Sequence, residues 1–119
     1  MRKENSTNSL NEAEILHDCP ITATFNIIGG RWKVIILWHL RNQAMRYGEL
    51  NRAIPNISQK MLTQQLKALV ENGFIEKKDY QQIPPKTDYK LSPLGDSFIP
   101  ILQQIHDWGI AHNILNQPT

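Results

Sequence analysis

A chain of 119 residues is long enough for one domain with its own hydrophobic core and short for two. With 40% hydrophobic and 20% charged residues the composition is globular, and no apolar run approaches the roughly 20 residues that a membrane-spanning helix needs. The single cysteine, Cys19, excludes an intrachain disulfide, and the N-terminus lacks the apolar segment of a signal peptide, so we expect a cytoplasmic protein without a membrane span.

The formal net charge of +2 hides an uneven distribution along the chain. Residues 1–30 carry two basic and four acidic side chains, residues 31–90 carry eleven basic and five acidic ones, and residues 91–119 carry only two acids. The middle segment therefore has a net charge of +6. Such an excess is expected of a region that binds a polyanion, for example double-stranded DNA.

The chain begins with a polar segment and a short helix. Residues 1–13 are polar and aperiodic, so we expect a disordered tail there, followed by one domain over residues 14–119. The helix is predicted from apolar residues at helical spacing, namely Ile21, Phe25 and Ile28. Pro20 suits its first turn, and Gly29-Gly30 ends it.

The next segment predicts a buried helix, a polar link and a shorter helix. Arg31–Leu40 is apolar almost all round, which is typical of a helix buried at the centre of a domain. Arg41–Arg46 is polar and is expected to link it to the next element. A third helix, of about two turns, is predicted from the stripe Tyr47, Leu50 and Ile54. Pro55 closes this helix, and Asn56-Ile57 forms a turn.

The stretch Ser58–Ile75 predicts a helix with two different surfaces. Its core-facing stripe consists of Leu62, Leu66, Leu69 and Val70. Ser58 is suited to cap its N-terminus, and Gly73 is suited to end it in a left-handed conformation. The opposite face carries side chains of types that read base edges in a major groove, and the expected readers are Ser58, Gln59, Lys60, Thr63, Gln64 and Lys67. The alternative is a solvated amphipathic helix that binds nothing.

A short helix, a turn and a longer helix with a polar face have the order of a helix-turn-helix. Phe74–Tyr80 and Thr87–Leu91 then predict two strands, with Tyr89 and Leu91 on one face, joined by the loop Gln81–Lys86. A basic hairpin at this place indicates the wing of a winged helix. DNA phosphates are expected to meet Arg46, Lys77, Lys78, Lys86 and Lys90. The predicted fold class is α+β, mainly α, a winged helix-turn-helix.

A long C-terminal helix is predicted over Leu94–Leu115, with Ser92-Pro93 at its start and an interruption and kink at Pro100. Its apolar stripe is longer than so small a domain covers from within, so we expect N- and C-terminal helices to form a homodimer. The alternative is that the helix folds back onto its own core. The expected interface residues are Ile21, Phe25, Phe98, Ile101, Leu102, Ile105, Trp108, His112 and Leu115.

Several short motifs stand in one order along the chain. They are Cys19-Pro20, Ile28-Gly29-Gly30-Arg31-Trp32, Tyr47-Gly48-Glu49-Leu50, Ile57-Ser58 with Leu62-Thr63, Gly73-Phe74-Ile75, Pro84-Pro85, Asp88-Tyr89, Leu91-Ser92 with Gly95, and Asp107-Trp108-Gly109. The ordered set resembles the HxlR family of bacterial transcriptional regulators, relatives of the MarR winged-helix proteins. The resemblance implies a dimeric repressor or activator on near-palindromic operators. Thr87-Asp88-Tyr89 departs from the usual Val-Glu-Tyr, and Lys77-Lys78 from the frequent arginine, which affects wing contacts only.

Cys19 has two interpretations. At the start of the first helix its sulfur lies near the positive end of the helix dipole, which favours a reactive thiolate, whereas Asp18 beside it opposes one. The alternative is a small apolar residue at the dimer seam. The HxlR resemblance implies a redox or electrophile sensor at this position, so Cys19 is a candidate sensor.

Nothing in the sequence indicates an enzyme, a metal or a cofactor. There is no Ser-His-Asp order and no glycine-rich phosphate loop, and the carboxylates lie on polar faces. His17 and Cys19 are the one close ligand pair, which is too few for a metal site. We therefore predict a sequence-specific DNA-binding regulator without a cofactor or an obvious small-molecule ligand. The alternative is a winged-helix module that binds protein or RNA.

Overall fold

The computed structural model describes residues 19–84 and 86–116, so the tail expected over residues 1–13 lies outside the described residues. The chain divides into two compact units, the first ending at Gly30 and the second beginning at Arg31. The first contains helix α1 (Pro20–Ile28), which confirms the predicted helix. Its last turn closes where the Gly29 amide donates to the carbonyl of Phe25 at 2.7 Å.

The second unit contains four helices and three strands within its described residues. In chain order these are α2 (Trp32–His39), β1 (Met45–Arg46), α3 (Tyr47–Ala53), α4 (Gln59–Glu71), β2 (Ile75–Asp79), β3 (Thr87–Leu91) and α5 (Pro93–Ala111), with a final 3-10 turn at Ile114–Asn116. This order confirms the predicted α+β, mainly helical winged helix-turn-helix. None of the helices described here is long and apolar enough to cross a bilayer.

The core of the second unit is built by the apolar stripes of α2, α3 and α4. Its fully buried side chains are Ile36, Leu37, Leu50, Ile54, Leu62, Leu66 and Leu69. The predicted central helix, α2, contributes the first two, while Val34, Ile35 and Trp38 on its other sides are only half-buried. This helix, apolar almost all round, is therefore fully buried on one side and partly covered on the others.

The sheet is antiparallel with the order β1-β3-β2. In β3, Tyr89 and Leu91 are both buried, as the alternation predicted. The polar link expected over Arg41–Arg46 was wrong at its end, because Met45 and Arg46 pair with Tyr89 and Asp88 as strand β1. Two residues are too few for a period-2 pattern, so this strand arises from long-range pairing alone.

The C-terminal helix is tied to the end of α4. Ser92 caps α5 by accepting the amide of Gly95 at 3.1 Å, and its hydroxyl donates to the carbonyl of Gly73 at 2.6 Å. Gly73 has φ +81°, the left-handed conformation predicted for the end of α4. A Cβ at Gly95 would lie 2.2 Å from the carbonyl oxygen of Phe74, so only glycine allows this approach.

The predicted end of the C-terminal helix was wrong, and so was the predicted interruption at Pro100, whereas the kink at Pro100 stays a prediction. The helix is continuous through Pro100, because one missing hydrogen bond does not end a helix of 19 residues. It stops at Ala111, and Asn113 takes φ +56° beyond it. Leu115 lies in the 3-10 turn instead. A 3-10 turn has three residues per turn, so it continues the spacing of apolar residues that suggested a longer α-helix.

Candidate nucleic-acid interface

Local contacts determine where the two helices of the helix-turn-helix begin. The backbone amide of Arg46 donates to Glu49 Oε1 at 2.8 Å at the start of α3. At the start of α4 the hydroxyl of Ser58 accepts the amide of Met61 at 3.0 Å, which confirms the predicted N-cap. Asn56, with φ +69°, turns the chain between the helices. The direction of α4 is thus set by caps and a turn that the sequence encodes locally.

Helix α4 has one buried and one exposed side. Leu62, Leu66 and Leu69 are buried, as predicted. The side chains predicted to read bases are all exposed, and we call them the reading face: Ser58, Gln59, Lys60, Thr63, Gln64 and Lys67. The face contains no acidic residue, so it presents hydrogen-bonding and cationic groups only.

Tyr47 touches the reading face, which sequence reasoning missed. Its hydroxyl donates to the carbonyl oxygen of Gln59 at 2.9 Å and lies 3.0 Å from Thr63 Oγ1. The apolar stripe of α3 explained Tyr47 as a packing residue. The signal that could have revealed this contact is the residue type, because the hydroxyl of a partly buried tyrosine usually has a hydrogen-bond partner.

The wing, which comprises β2, β3 and the loop between them, distributes its lysines over two faces. Lys77 stands opposite Tyr89, whereas Lys78 and Lys90 stand opposite Asp88 and Glu76. Neighbouring residues of a strand point to opposite faces, so Lys77 and Lys78 cannot contact the same phosphate from one side. Pro85, in the predicted Pro84-Pro85 loop, lies outside the described residues.

Lys77 shares a cleft with the reading face. The cleft lies between α4 and the wing, has a volume of about 360 Å³, and is lined by Thr63, Leu66, Lys67, Val70, Glu71, Lys77 and Tyr89. It brings the ammonium-bearing side chains Lys67 and Lys77 to one depression beside Thr63. This is the part of the predicted site that the fold assembles from both helix and hairpin.

The remaining predicted phosphate contacts already have partners within the wing and β1. Lys78 and Lys86 lie 4.8 and 4.3 Å from the centre of the Tyr80 ring. Lys90 Nζ is 3.7 Å from Glu76 Oε1, and Arg46 Nε is 3.9 Å from Asp88 Oδ1. Exposed pairs of this kind contribute little to folding stability.

Tyr80 also contacts Asp88, one of the acidic residues of the wing. Its hydroxyl donates to Asp88 Oδ2 at 2.9 Å, and this hydrogen bond raises the pKa of Tyr80 above its ordinary value. Asp88 therefore lies between a phenol and the Arg46 guanidinium. The negative charge of Asp88 is therefore compensated from two sides.

A family model described as HxlR-like helix-turn-helix matches residues 27–117. This chain belongs to the HxlR-like helix-turn-helix family. The HTH-type transcriptional regulator YkvN of Bacillus subtilis is 46% identical over 91 residues, which cover 76% of this chain and 77% of YkvN. The winged helix-turn-helix described above is thus that of a DNA-binding transcriptional regulator.

Solved structures agree with the HxlR-like assignment. A crystal structure of the HTH-type regulator YtcD matches at 45% identity with a TM-score of 0.77, over 83% of this chain and 99% of that chain. The redox regulator HypR in its reduced form matches at 37% identity with a TM-score of 0.77, over 80% of this chain and 94% of that chain. Both similarities extend over most of each protein.

In this HxlR-like chain, Cys19 is the N-cap of α1 and is half-buried. Hydrogen bonds to the thiolate, first from the backbone amide of Thr22 and then from its hydroxyl, lower the pKa of Cys19 below the ordinary value for a thiol. Among the described residues no three His, Cys, Asp or Glu side chains form a group that could hold a metal ion. His17 lies outside the described residues.

The predicted dimer residues of α5 differ in exposure. Ile101, Ile105 and Trp108 are about half exposed, at 48%, 55% and 57%. Leu102 is 8% exposed, because it packs into its own unit, so its side chain offers a partner little surface. Phe98 is half-buried, and His112 stacks on Trp108 with ring centres 4.4 Å apart.

An apolar groove of about 230 Å³ adjoins this face of α5, lined by Val34, Ile35, Trp38, Leu102, Ile105 and His106. Of the other predicted interface residues, Leu115 is 95% exposed in the 3-10 turn. Ile21 and Phe25 are 69% and 57% exposed on α1. Except for Leu102, these side chains are accessible in the single chain.

Proposed function

We propose that this HxlR-like regulator binds near-palindromic operators as a homodimer, with α4 of each protomer in a major groove and each wing against the neighbouring phosphates. The observation that carries the proposal is the division of α4 into a buried leucine stripe and an acid-free exposed reading face. Base edges in the major groove offer donors and acceptors that glutamine, lysine and threonine side chains match.

The placement of cations supports a division of work between helix and wing. Gln59, Lys60 and Gln64 are exposed in the first turns of α4, where a recognition helix meets base edges. Lys67 and Lys77 line the cleft between α4 and the wing, where a phosphate strand would lie beside the helix. The cations on the wing and β1 then supply affinity and register that do not depend on sequence.

The exposed apolar surface supports the homodimer. Ile101, Ile105 and Trp108 are half exposed on successive turns of α5, and the adjacent apolar groove lies between α2 and α5. A contiguous apolar surface of this kind is typical of a protein interface. Two copies joined by α5 would present two reading faces related by two-fold symmetry, which matches an operator with inverted half-sites.

In vitro selection of bound duplexes by the purified full chain tests the function. We expect two inverted half-sites separated by about one helical turn, and preference for the selected duplex over bulk DNA at physiological salt. If about four cations per protomer meet phosphates, log K should fall with log salt with a slope near −7. Equal affinity for all duplexes would contradict sequence-specific binding and favour a protein- or RNA-binding module. Selection of a single half-site would contradict the homodimer.

A second function, redox control through Cys19, is supported by the lowered pKa of this thiol at the N-cap of α1. The neighbouring structure HypR is that of a redox regulator. We propose that oxidation or alkylation of Cys19 changes the geometry of the dimer and lowers operator affinity. Because the chain has one cysteine, a disulfide at Cys19 must join two molecules.

Diamide or quinone treatment tests this second function. We expect the modified protein to lose operator affinity and Cys19→Ser, which has no thiol to modify and suits an N-cap position, to bind operator before and after treatment alike. The thiol of the folded chain should also react with an alkylating agent at lower pH than that of the unfolded chain, because its pKa is lowered. Unchanged operator binding with Cys19 shown by mass to be modified would contradict the proposal.

A further inference from the structure

The hydroxyl of Tyr47 joins the two helices of the helix-turn-helix at the reading face. Tyr47 is the first residue of α3 and is half-buried. Its hydroxyl oxygen lies 2.9 Å from the carbonyl oxygen of Gln59 and 3.0 Å from Thr63 Oγ1. Gln59 and Thr63 are one helical turn apart on α4, so a single phenol contacts that turn at two points.

The number of protons determines the direction of both hydrogen bonds. A tyrosine hydroxyl has one proton, and a backbone carbonyl only accepts, so the proton of Tyr47 goes to the carbonyl of Gln59. The oxygen of Tyr47 is then the acceptor for Thr63, and Thr63 Oγ1 must be the donor. The one proton of the Thr63 hydroxyl is therefore used inside the protein.

This bond also restricts the conformation of Thr63. A helical threonine usually divides between two χ1 rotamers, because its hydroxyl can bond the carbonyl one turn earlier. That carbonyl belongs to Gln59 and here receives the proton of Tyr47. The bond to Tyr47 favours the rotamer that directs the Thr63 hydroxyl towards the phenol, and in that rotamer Thr63 offers DNA a methyl group and an oxygen lone pair.

We infer that Tyr47 is a positioning residue for base recognition, and that it makes Thr63 a reader of A·T pairs. The inference rests on the proposed DNA-binding function. In the major groove an A·T pair presents the thymine methyl and the adenine N6 amino donor, which suit a methyl group and an accepting oxygen. In a G·C pair the cytosine N4 amino group could also donate to this oxygen, but the pair has no methyl group for Thr63 to touch, and the guanine acceptors O6 and N7 would need the proton that Thr63 has already donated.

Single-residue variants of the full chain test this inference on the selected duplex and on its single base-pair substitutions. The pair that Thr63 faces is the one whose preference changes in Thr63→Ala. We expect Tyr47→Phe to reduce discrimination at that pair by about 3- to 10-fold and to leave the other positions unchanged. Thr63→Val, which keeps a methyl at this position, should retain more of the preference than Thr63→Ser, which loses it.

A double variant separates positioning from general support of the fold. Because the valine of Thr63→Val has no hydroxyl to orient, adding Tyr47→Phe to this variant should cause no further loss at that base pair. Tyr80→Phe is the matched control, since it removes a phenolic hydroxyl from the wing and should not change preference at any single pair. Thermal unfolding of each variant shows whether the fold is intact, and the exposed Thr63 series keeps the test decisive if Tyr47→Phe unfolds.

Three results would overturn the inference. These are an unchanged base preference in Tyr47→Phe, an equal loss of affinity for all duplexes, or a preference that Thr63→Ser keeps and Thr63→Val loses. A wild-type chain that prefers no duplex would instead overturn the proposed function and the inference together. The two failures are therefore distinguishable.

Discussion

The reading face of α4 and the wing use their polar side chains in different ways. Within residues 19–84 and 86–116, Lys60, Gln64 and Lys67 on the helix make no ion pair and no side-chain hydrogen bond. In the wing, Lys78 and Lys86 lie against Tyr80, and Lys90 pairs with Glu76. These three helix side chains can adapt to base edges, whereas the wing cations have neighbours within the wing and present a positive surface to phosphates.

The difference supports our proposal that the helix provides sequence preference and the wing provides general affinity. The helix and the hairpin both depend on the buried core. Leu62, Leu66 and Leu69 fix the helix from its buried side, while Tyr89 and Leu91 fix the hairpin. Changes to the core should therefore affect all DNA binding, and changes at either surface should affect one property.

The largest expected effect is that of Leu66→Ala, which removes the docking of the helix that carries the reading face. Leu66 is 2% exposed, and truncating such a leucine costs about 2–5 kcal/mol of unfolding free energy. Denaturant unfolding followed by circular dichroism measures this loss. Gln64→Ala, on the exposed side of the same helix, is the matched control and should change stability by less than about 0.5 kcal/mol. Equal destabilisation by both would mean that α4 is not docked as described.

A much smaller effect is expected of Tyr80→Phe in the wing. The variant removes the hydrogen bond to Asp88 Oδ2 and leaves that carboxylate with less compensation beside the wing lysines. Affinity for selected and random duplexes should fall together, by about two- to fivefold, because an exposed contact of this kind is weak. Fluorescence anisotropy on both duplexes measures the change. If the double variant Tyr80→Phe/Asp88→Asn recovers affinity, the loss is due to the charge of Asp88. A loss of affinity for the selected duplex alone would contradict this prediction.

Helix α4 was predicted well because its signals are local in the sequence. Elements that depend on long-range contacts were not predicted. Ser58 and Gly73 define the helix through their own backbone neighbourhoods, so both ends could be predicted. Strand β1 could not, because Met45 pairs with Tyr89, which is distant in the chain. The two faces of the wing were predictable in principle, since Lys77 and Lys78 are consecutive residues of a strand.

The candidate site was predicted by residue type and refined by contacts. The exposed polar side of α4 follows from helical periodicity alone. The hydrogen bond between Tyr47 and Thr63 crosses the turn of the helix-turn-helix, and no spacing rule connects two residues in different helices. The burial of Leu102 has the same origin, because it depends on how α5 packs against other elements.

The central claim, that the helix reads sequence and the wing supplies affinity, is tested most directly by comparing Gln64→Ala with Lys86→Ala. Dissociation constants are measured for each on the selected and on a random duplex over a series of salt concentrations. Gln64→Ala should lose about 1–3 kcal/mol on the selected duplex only, with the salt slope unchanged. Lys86→Ala should weaken both duplexes alike and reduce the slope by about one for each phosphate that is no longer neutralised. Equal effects of the two variants on both duplexes would contradict the division between helix and wing.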